Sequence, residues 1–134
     1  MAMFGFLLNY PWEFLQAPLY QGMADAPHWQ AVKTCTRAAL GDAVILVVAF
    51  WGIAATAGSR RWVLRPRLGQ VTGFGGIGLA ITMVVEHLAT GPLDQWDYAE
   101  AMPMIPLLGI GVAPLLQWVL LPPLAAWFVR RQLT

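Results

Sequence analysis

The stretch LGDAVILVVAFWGIAATA, residues 40–57, decides the fold, because it is almost continuously apolar and carries one charge, Asp42. A helix needs roughly 20 mostly apolar residues to cross the hydrocarbon core of a membrane. Backbone groups find no water there, so a spanning segment must satisfy its own hydrogen bonds as a helix. The stretch therefore predicts a transmembrane helix.

The composition of the whole chain agrees with this prediction. Hydrophobic residues make up 58% of the 134 residues, charged residues make up 11%, and the mean hydropathy is +0.59. A soluble domain is typically about 25% charged, so this chain lacks the polar surface of a soluble protein. The length allows one domain at most.

Three further segments have the same character. Together with residues 40–57 they predict an all-α membrane protein, a four-transmembrane-helix bundle forming the single domain 1–134. We expect spans at about 3–20, 40–57, 71–90 and 104–129, and a short amphipathic helix on the membrane surface at 28–39. Prolines within the first and fourth spans should kink these helices: Pro11, Pro18, Pro106, Pro114, Pro122 and Pro123.

The charged residues predict an orientation. Residues 59–70 contain four arginines and the C-terminal segment contains Arg130 and Arg131, whereas residues 91–103 contain three acidic residues and no basic one. The positive-inside rule then places the loop 59–70 and the C-terminus in the cytoplasm, with the N-terminus inside as well. We expect a bacterial cytoplasmic membrane protein whose first helix is retained, because no basic residue precedes its apolar run.

Composition also excludes several partners. The net charge of +1 and the lack of a basic surface stretch argue against nucleic acid. His28 and His87 are the only histidines and have no ligand-like spacing, so we expect no metal and no cofactor. The single cysteine, Cys35, cannot form an internal disulfide and is expected to be a small buried residue.

A glycine motif occurs in the third span, VTGFGGIG at residues 71–78. Gly73, Gly75 and Gly78 match the G-x-G-x-x-G pattern of dinucleotide sites, but that pattern needs a preceding strand and a soluble nucleotide site. Small residues also let membrane helices approach each other closely. We interpret the motif as a helix-packing surface.

The first span carries a polar stripe. Asn9, Glu13, Gln16 and Tyr20 are four, three and four residues apart and share one helix face, with Trp12 beside them. A charge at the bilayer centre costs at least about 3 kcal/mol on insertion scales. The stripe should therefore face the interior of the bundle.

Other polar residues are expected in the same, outer half of the membrane. They are Asp42 in the second span, Glu86 and His87 in the third, Gln117 in the fourth, and Trp96 and Tyr98 in the acidic loop. Their convergence predicts an outer-half polar and aromatic cavity. The alternative is that contacts such as Glu13–His87 or Asp42–Gln117 merely hold the bundle together.

A carboxylic acid beside aromatic faces suits chemistry on an apolar polyene. The acid protonates an olefin, ring faces stabilise the carbocation, and a second carboxylate takes a proton back. The candidate catalytic residues are Glu13, Asp42 and Glu86. The candidate substrate-binding residues are Asn9, Trp12, Gln16, His87, Trp96, Tyr98 and Gln117, and the expected ligand is an isoprenoid or another apolar lipid.

A family resemblance points the same way. The stretch NYPWEFLQAPLY, residues 9–20, resembles the N-x-x-W-E-F segment of the integral-membrane terpene cyclases of fungal meroterpenoid pathways. The resemblance implies that Glu13 is an essential acid and offers Asp42 as its partner. The run WDYAEAMPMIP, residues 96–106, more faintly resembles the W-x-Y and proline-rich segments of membrane lycopene cyclases. Both families usually have more than four spans, which leaves room for a homodimer or for a shared ancestry without shared activity.

Two other functions remain open. The chain could be a non-enzymatic accessory subunit of a larger membrane complex, docking through a fourth span that contains Trp118 and Trp127. A transporter is the third hypothesis, and it requires a polar path across the membrane. The polar residues stop halfway, which counts against that path.

Overall fold

Four α-helices make up most of the chain in the computed structural model, which describes all 134 residues. Each helix packs against two others, α1 on α2 and α4, and α3 on α2 and α4, so the four form a closed bundle. The predicted helical bundle is confirmed. The helices are α1 (Ala2–Gln16), α2 (His28–Ala57), α3 (Leu68–Thr90) and α4 (Val112–Leu133).

Three of the four helices, α2, α3 and α4, are long and apolar enough to cross a membrane, which is consistent with an integral membrane protein. The first helix is shorter than expected. It has 15 residues, or about 22 Å at about 1.5 Å per residue, against a hydrocarbon core of about 30 Å. A 3₁₀ turn at Ala17–Leu19 follows it, and Pro18 lies in that turn rather than kinking a helix.

The surface helix expected at 28–39 does not exist as a separate element. These residues form the first part of α2, which runs for 30 residues without a break. Cys35, Ala39 and Ala43 are 2%, 0% and 7% exposed, and their four-residue spacing continues one buried helix face across the expected boundary. As a consequence, Asp42 lies in the middle of α2 rather than near its outer end.

The fourth span begins eight residues later than expected. Residues 104–111 form a small antiparallel hairpin of β1 (Met104–Ile105) and β2 (Ile110–Gly111), in which Met104 pairs with Gly111. Pro106 disfavours a helix here because it lacks an N–H, and Gly109 turns the chain with a φ of +64°. The expected helix kink at Pro106 is therefore wrong, whereas Pro114 lies in the first turn of α4, where proline is tolerated.

The two chain termini lie at the same end of the bundle. Met1 and Phe4 line a groove together with Val129, and the Phe4 ring stacks on Phe128 with centroids 5.6 Å apart. The arginine-containing 3₁₀ helix Arg60–Leu64 is at this end too, because its buried Trp62 packs in the same apolar core as Val129. The acidic loop is at the opposite end.

The glycine motif packs α3 against its neighbours. Gly73, Gly75 and Gly78 all lie within α3, so no strand precedes a nucleotide-binding turn. Gly78 lies directly under the Trp118 ring of α4, and a Cβ at Gly75 would be 3.3 Å from the Trp118 carbonyl oxygen. The interpretation of this motif as a helix-packing surface is confirmed.

Candidate functional site

One side chain, Gln117 of α4, joins three helices through its amide. Its Nε2 donates to Asn9 Oδ1 of α1 at 2.6 Å and to Asp42 Oδ2 of α2 at 2.7 Å. Glu13 Oε1 lies 3.5 Å from the same nitrogen. An amide nitrogen has two hydrogens, so the bonds to Asn9 and Asp42 are the principal ones. The Asp42–Gln117 contact, which the sequence offered as one way of holding the bundle together, is therefore present.

The polar stripe of α1 faces the bundle interior, as its helical spacing predicts. Asn9, Glu13 and Gln16 are 1%, 8% and 5% exposed. Gln16 Nε2 donates to Glu13 Oε1 at 2.9 Å, and the indole Nε1 of Trp12 donates to Gln16 Oε1 at 3.1 Å. Asn9 Nδ2 donates to the Gly5 carbonyl at 2.6 Å. Every amide in the stripe thus has a partner.

The carboxyl groups of Glu13 and Asp42 approach the same amide nitrogen, Gln117 Nε2, at 3.5 and 2.7 Å. Two ionised carboxylates this close inside an apolar bundle repel each other, so the arrangement is favoured when one of the two groups carries a proton. Gln117 donates to Asp42 Oδ2, and Gln16 donates to Glu13 Oε1. Two neighbouring carboxyls of which one is protonated are an arrangement that general acid–base chemistry uses.

A second polar cluster surrounds Glu86 of α3, which is 7% exposed. Tyr98 donates its hydroxyl to Glu86 Oε2 at 2.5 Å, and Tyr20 and the Trp96 indole donate at 3.4 and 3.5 Å. Tyr20 and Tyr98 also form an isolated antiparallel β-bridge. The hydrogen bonds to Glu86 therefore hold the acidic loop against the segment that follows α1.

The hydroxyl of Tyr98 remains a donor over a wide pH range. Burial is the main reason that the pKa of Tyr98 is raised above its usual range, and the hydrogen bond to the Glu86 carboxylate raises it further. A raised phenol pKa keeps the proton on the oxygen. The contact between the loop and Glu86 is therefore a donor–acceptor bond rather than a repulsion between two anions.

The structure groups nine of the ten predicted site residues into these two clusters. Asn9, Trp12, Glu13, Gln16, Asp42 and Gln117 form the first, and Glu86, Trp96 and Tyr98 form the second. His87 is exposed and makes no side-chain hydrogen bond, so a Glu13–His87 contact does not hold the bundle together. The reason is helical: adjacent residues point about 100° apart, so burying Glu86 turns His87 outward.

The first cluster is closed rather than lining an open cavity. Asn9 and Gln117 are 1% and 2% exposed. Two grooves, of about 450 and 510 Å³, lie at the end of the bundle that holds the arginines and the termini. Only Asp42 of the carboxyl pair is partly exposed. The pair is therefore accessible from the side of α2.

Two features of the site were missed from the sequence. Thr82 lies one helical turn before Glu86 on the same buried face of α3, and its hydroxyl has no hydrogen-bond partner. Its spacing of four residues from Glu86 is the signal that could have identified it. Tyr20 was placed on the α1 stripe, but its hydroxyl bonds Glu86 instead, because the helix ends at Gln16.

No group of three or more His, Cys, Asp or Glu side chains is arranged to hold a metal ion. No family model, no curated protein and no solved structure matches this chain.

Proposed function

We propose that this integral membrane protein acts on or binds an isoprenoid or another apolar lipid through the Glu13–Asp42 carboxyl pair. The observation that carries the proposal is that the two carboxyls meet at one amide nitrogen, Gln117 Nε2, inside an apolar bundle. A proton held by this pair in a dry environment is available for transfer to an olefin, because no water competes for it.

In this proposal Glu13 donates the proton and Asp42 is the partner base. Protonating one carbon of a C=C bond leaves a carbocation on the other, and loss of a neighbouring proton to a carboxylate then restores the double bond in a new place or after ring closure. No co-reactant is consumed, and the carboxyl pair ends with the proton it began with. The resemblance of residues 9–20 to membrane terpene cyclases supports the same role for Glu13.

The amides around the pair hold it in position. Gln117 donates to Asp42 and Gln16 donates to Glu13, so each carboxyl keeps a fixed orientation. Trp12, bonded to Gln16, brings an aromatic ring to this layer of the bundle, where ring faces stabilise a cation. Ile45, about one helical turn from Asp42 on α2, is partly exposed, and it provides an apolar approach from the lipid.

Orientation and location follow from the charge distribution. The end of the bundle that holds both termini also holds Arg60 and Arg61. By the positive-inside rule this end faces the cytoplasm, in a bacterial cytoplasmic membrane. The carboxyl pair then lies within the bilayer, and the Glu86 cluster lies toward the outer surface.

A non-enzymatic accessory subunit is the second candidate, and one observation favours it. Each amide of the first cluster makes at least one hydrogen bond within the bundle, as expected of residues that hold helices together. On α4, the expected docking surface would contain Trp127, which is 48% exposed. It would not contain Trp118, which is 2% exposed and packs inward. Glu13 would then serve assembly rather than turnover.

The two candidates are separated by comparing membranes from cells that produce the wild type, Glu13→Gln or Glu100→Gln. Glu100 is an exposed loop residue, so its substitution makes the same chemical change outside the bundle. Apolar lipids are profiled by mass spectrometry, and co-purifying proteins are identified in a mild detergent. We expect a lipid that is altered or retained with the wild type and Glu100→Gln but not with Glu13→Gln. Identical lipid profiles with one stoichiometric protein partner would instead support the accessory subunit.

A further inference from the structure

We infer that the groove at the end of α2 is a binding site for the phosphate headgroup of an anionic phospholipid. The groove has a volume of about 450 Å³ and lies at the arginine-rich end of the bundle, away from both polar clusters. It is lined by Trp51, Ala54, Ala55, Gly58, Ser59, Arg60 and Arg61.

The shape of the groove follows from the residues that end α2. Ala54 and Ala55 are small, so the last helical turn leaves space beside it. Gly58 ends the helix with a φ of +65°, a conformation that glycine adopts without strain. This turn brings Arg60 back alongside the helix, where its guanidinium lies 6.0 Å from the centre of the Trp51 ring.

The groups facing the groove favour an anion. The carbonyls of Ala54 and Ala55 already accept the N–H groups of Gly58 and Ser59. Ser59 Oγ accepts the backbone N–H of Arg61 at 3.1 Å, which leaves its hydroxyl hydrogen free to donate. Guanidinium groups bind phosphate oxygens with paired, charge-assisted hydrogen bonds. The groove therefore presents donors and positive charge.

No acidic side chain of the protein competes for these arginines. Residues 43–85 and 101–134 contain no Asp or Glu, so the positive charge at this end is balanced by no carboxylate side chain. Arginine clusters next to a transmembrane helix attract anionic lipids. Charge complementarity thus selects an anionic headgroup over a zwitterionic one.

The adjacent surface of α2 suits the lipid's acyl chain. Val44, Val48 and Trp51 are 62%, 52% and 50% exposed. They are four and three residues apart, so they form one apolar stripe that leads from the groove along the membrane-spanning part of the helix. A phospholipid with its phosphate at Arg60 and Arg61 would lay its chain on this stripe, whereas free phosphate would not use it.

The inference is tested by titrating the purified protein in a mild non-ionic detergent with phosphatidylglycerol, and measuring binding by native mass spectrometry. Phosphatidylcholine and inorganic phosphate are titrated in parallel. The variant Arg60→Gln/Arg61→Gln is compared with Arg130→Gln/Arg131→Gln, which removes the same charge from the same end but outside the groove. We expect the groove variant to bind phosphatidylglycerol roughly thirtyfold more weakly. Each arginine contributes about 1 kcal/mol, and about 1.4 kcal/mol corresponds to a tenfold change in affinity.

A second variant keeps the charges and fills the space. Ala55→Phe places a ring in the groove, and we expect it to weaken phosphatidylglycerol binding with both arginines intact. Equal losses in the two arginine variants would overturn the inference, because they would indicate diffuse attraction to the whole end. Equal binding of phosphatidylcholine would overturn it too, and so would inorganic phosphate displacing the lipid at equal concentration.

Discussion

Replacing Gly78 with alanine should destabilise the protein, because the Trp118 ring occupies the space that a side chain would need. A Cβ at Gly78 would fall on Trp118 Cε3 and Cζ3 and would lie 3.1 Å from Cδ2. Trp118 is 2% exposed and packs in the main apolar core, so its ring has nowhere to move without disturbing that core.

The magnitude follows from two opposing effects. Overpacking a filled core costs about 1–3 kcal/mol, while alanine is favoured over glycine in a helix by about 1 kcal/mol. Gly76 is two residues away in α3 and has nothing within 4 Å of a Cβ. Gly76→Ala therefore receives the helix-propensity gain alone, and we expect the two variants to differ by about 1–3 kcal/mol, with Gly78→Ala the less stable.

Thermal unfolding in one detergent, followed by tryptophan fluorescence, measures this difference. A double variant tests its cause: in a Trp118→Leu background, Gly78→Ala should cost clearly less than it does in the wild type, because residues in contact are not additive. Equal stability of Gly76→Ala and Gly78→Ala, or an undiminished cost in the Trp118→Leu background, would refute the packing argument.

Other contacts lead to further predictions. Gln117→Met should lower the free energy of unfolding by about 1–3 kcal/mol in detergent, because buried oxygens on two other helices lose their donor; unchanged stability would mean that the amide bonds do not join the helices. Tyr98→Phe should speed proteolysis of the loop 91–103 because Glu86 loses its 2.5 Å donor, whereas His87→Ala should not, since His87 is exposed and unbonded. Because the pKa of Tyr98 is raised, its proton is retained through the usual tyrosine value of about 10. The loop should therefore stay protected from proteolysis at a pH equal to that usual value and lose protection only at higher pH. Loss of protection at a lower pH would contradict this reasoning. Cys35, 2% exposed, should react with a maleimide only after unfolding, and rapid labelling of the folded protein would place it at the surface instead.

The sequence was sufficient to predict the helices but not all of their ends. Long apolar runs require helices in a membrane, so α2, α3 and α4 follow directly from hydropathy. Hydropathy did not predict the hairpin at 104–111, because Met104 and Ile105 are as apolar as helix residues. Only Pro106 and Gly109 indicate a turn there. Hydropathy did not extend α2 back to His28, because Lys33 and Arg37 are charged. Lys33 and Arg37 lie on the outer face of the helix, while Cys35 stays buried.

Contacts within a helix were more predictable than contacts between helices. The spacing of Asn9, Glu13 and Gln16 fixed their common face, because the helical period is a local property. Which residue of α4 or α2 meets that face depends on helix rotation and depth, which hydropathy does not encode. A contact between Gln117 and Asp42 was only one of two examples that the sequence offered, and Glu86 was not separated from Glu13. That separation depends on the loop that brings Tyr98 to Glu86.

Deuterium incorporation tests most directly whether the Glu13–Asp42 pair transfers a proton to an apolar lipid. Membranes containing the wild type, Glu13→Gln or Glu100→Gln are incubated in deuterated water, and their apolar lipids are analysed by mass spectrometry. We expect carbon-bound deuterium in one lipid class with the wild type and Glu100→Gln, and none above background with Glu13→Gln. Equal incorporation in all three membranes, or none in any, would contradict proton transfer by this pair.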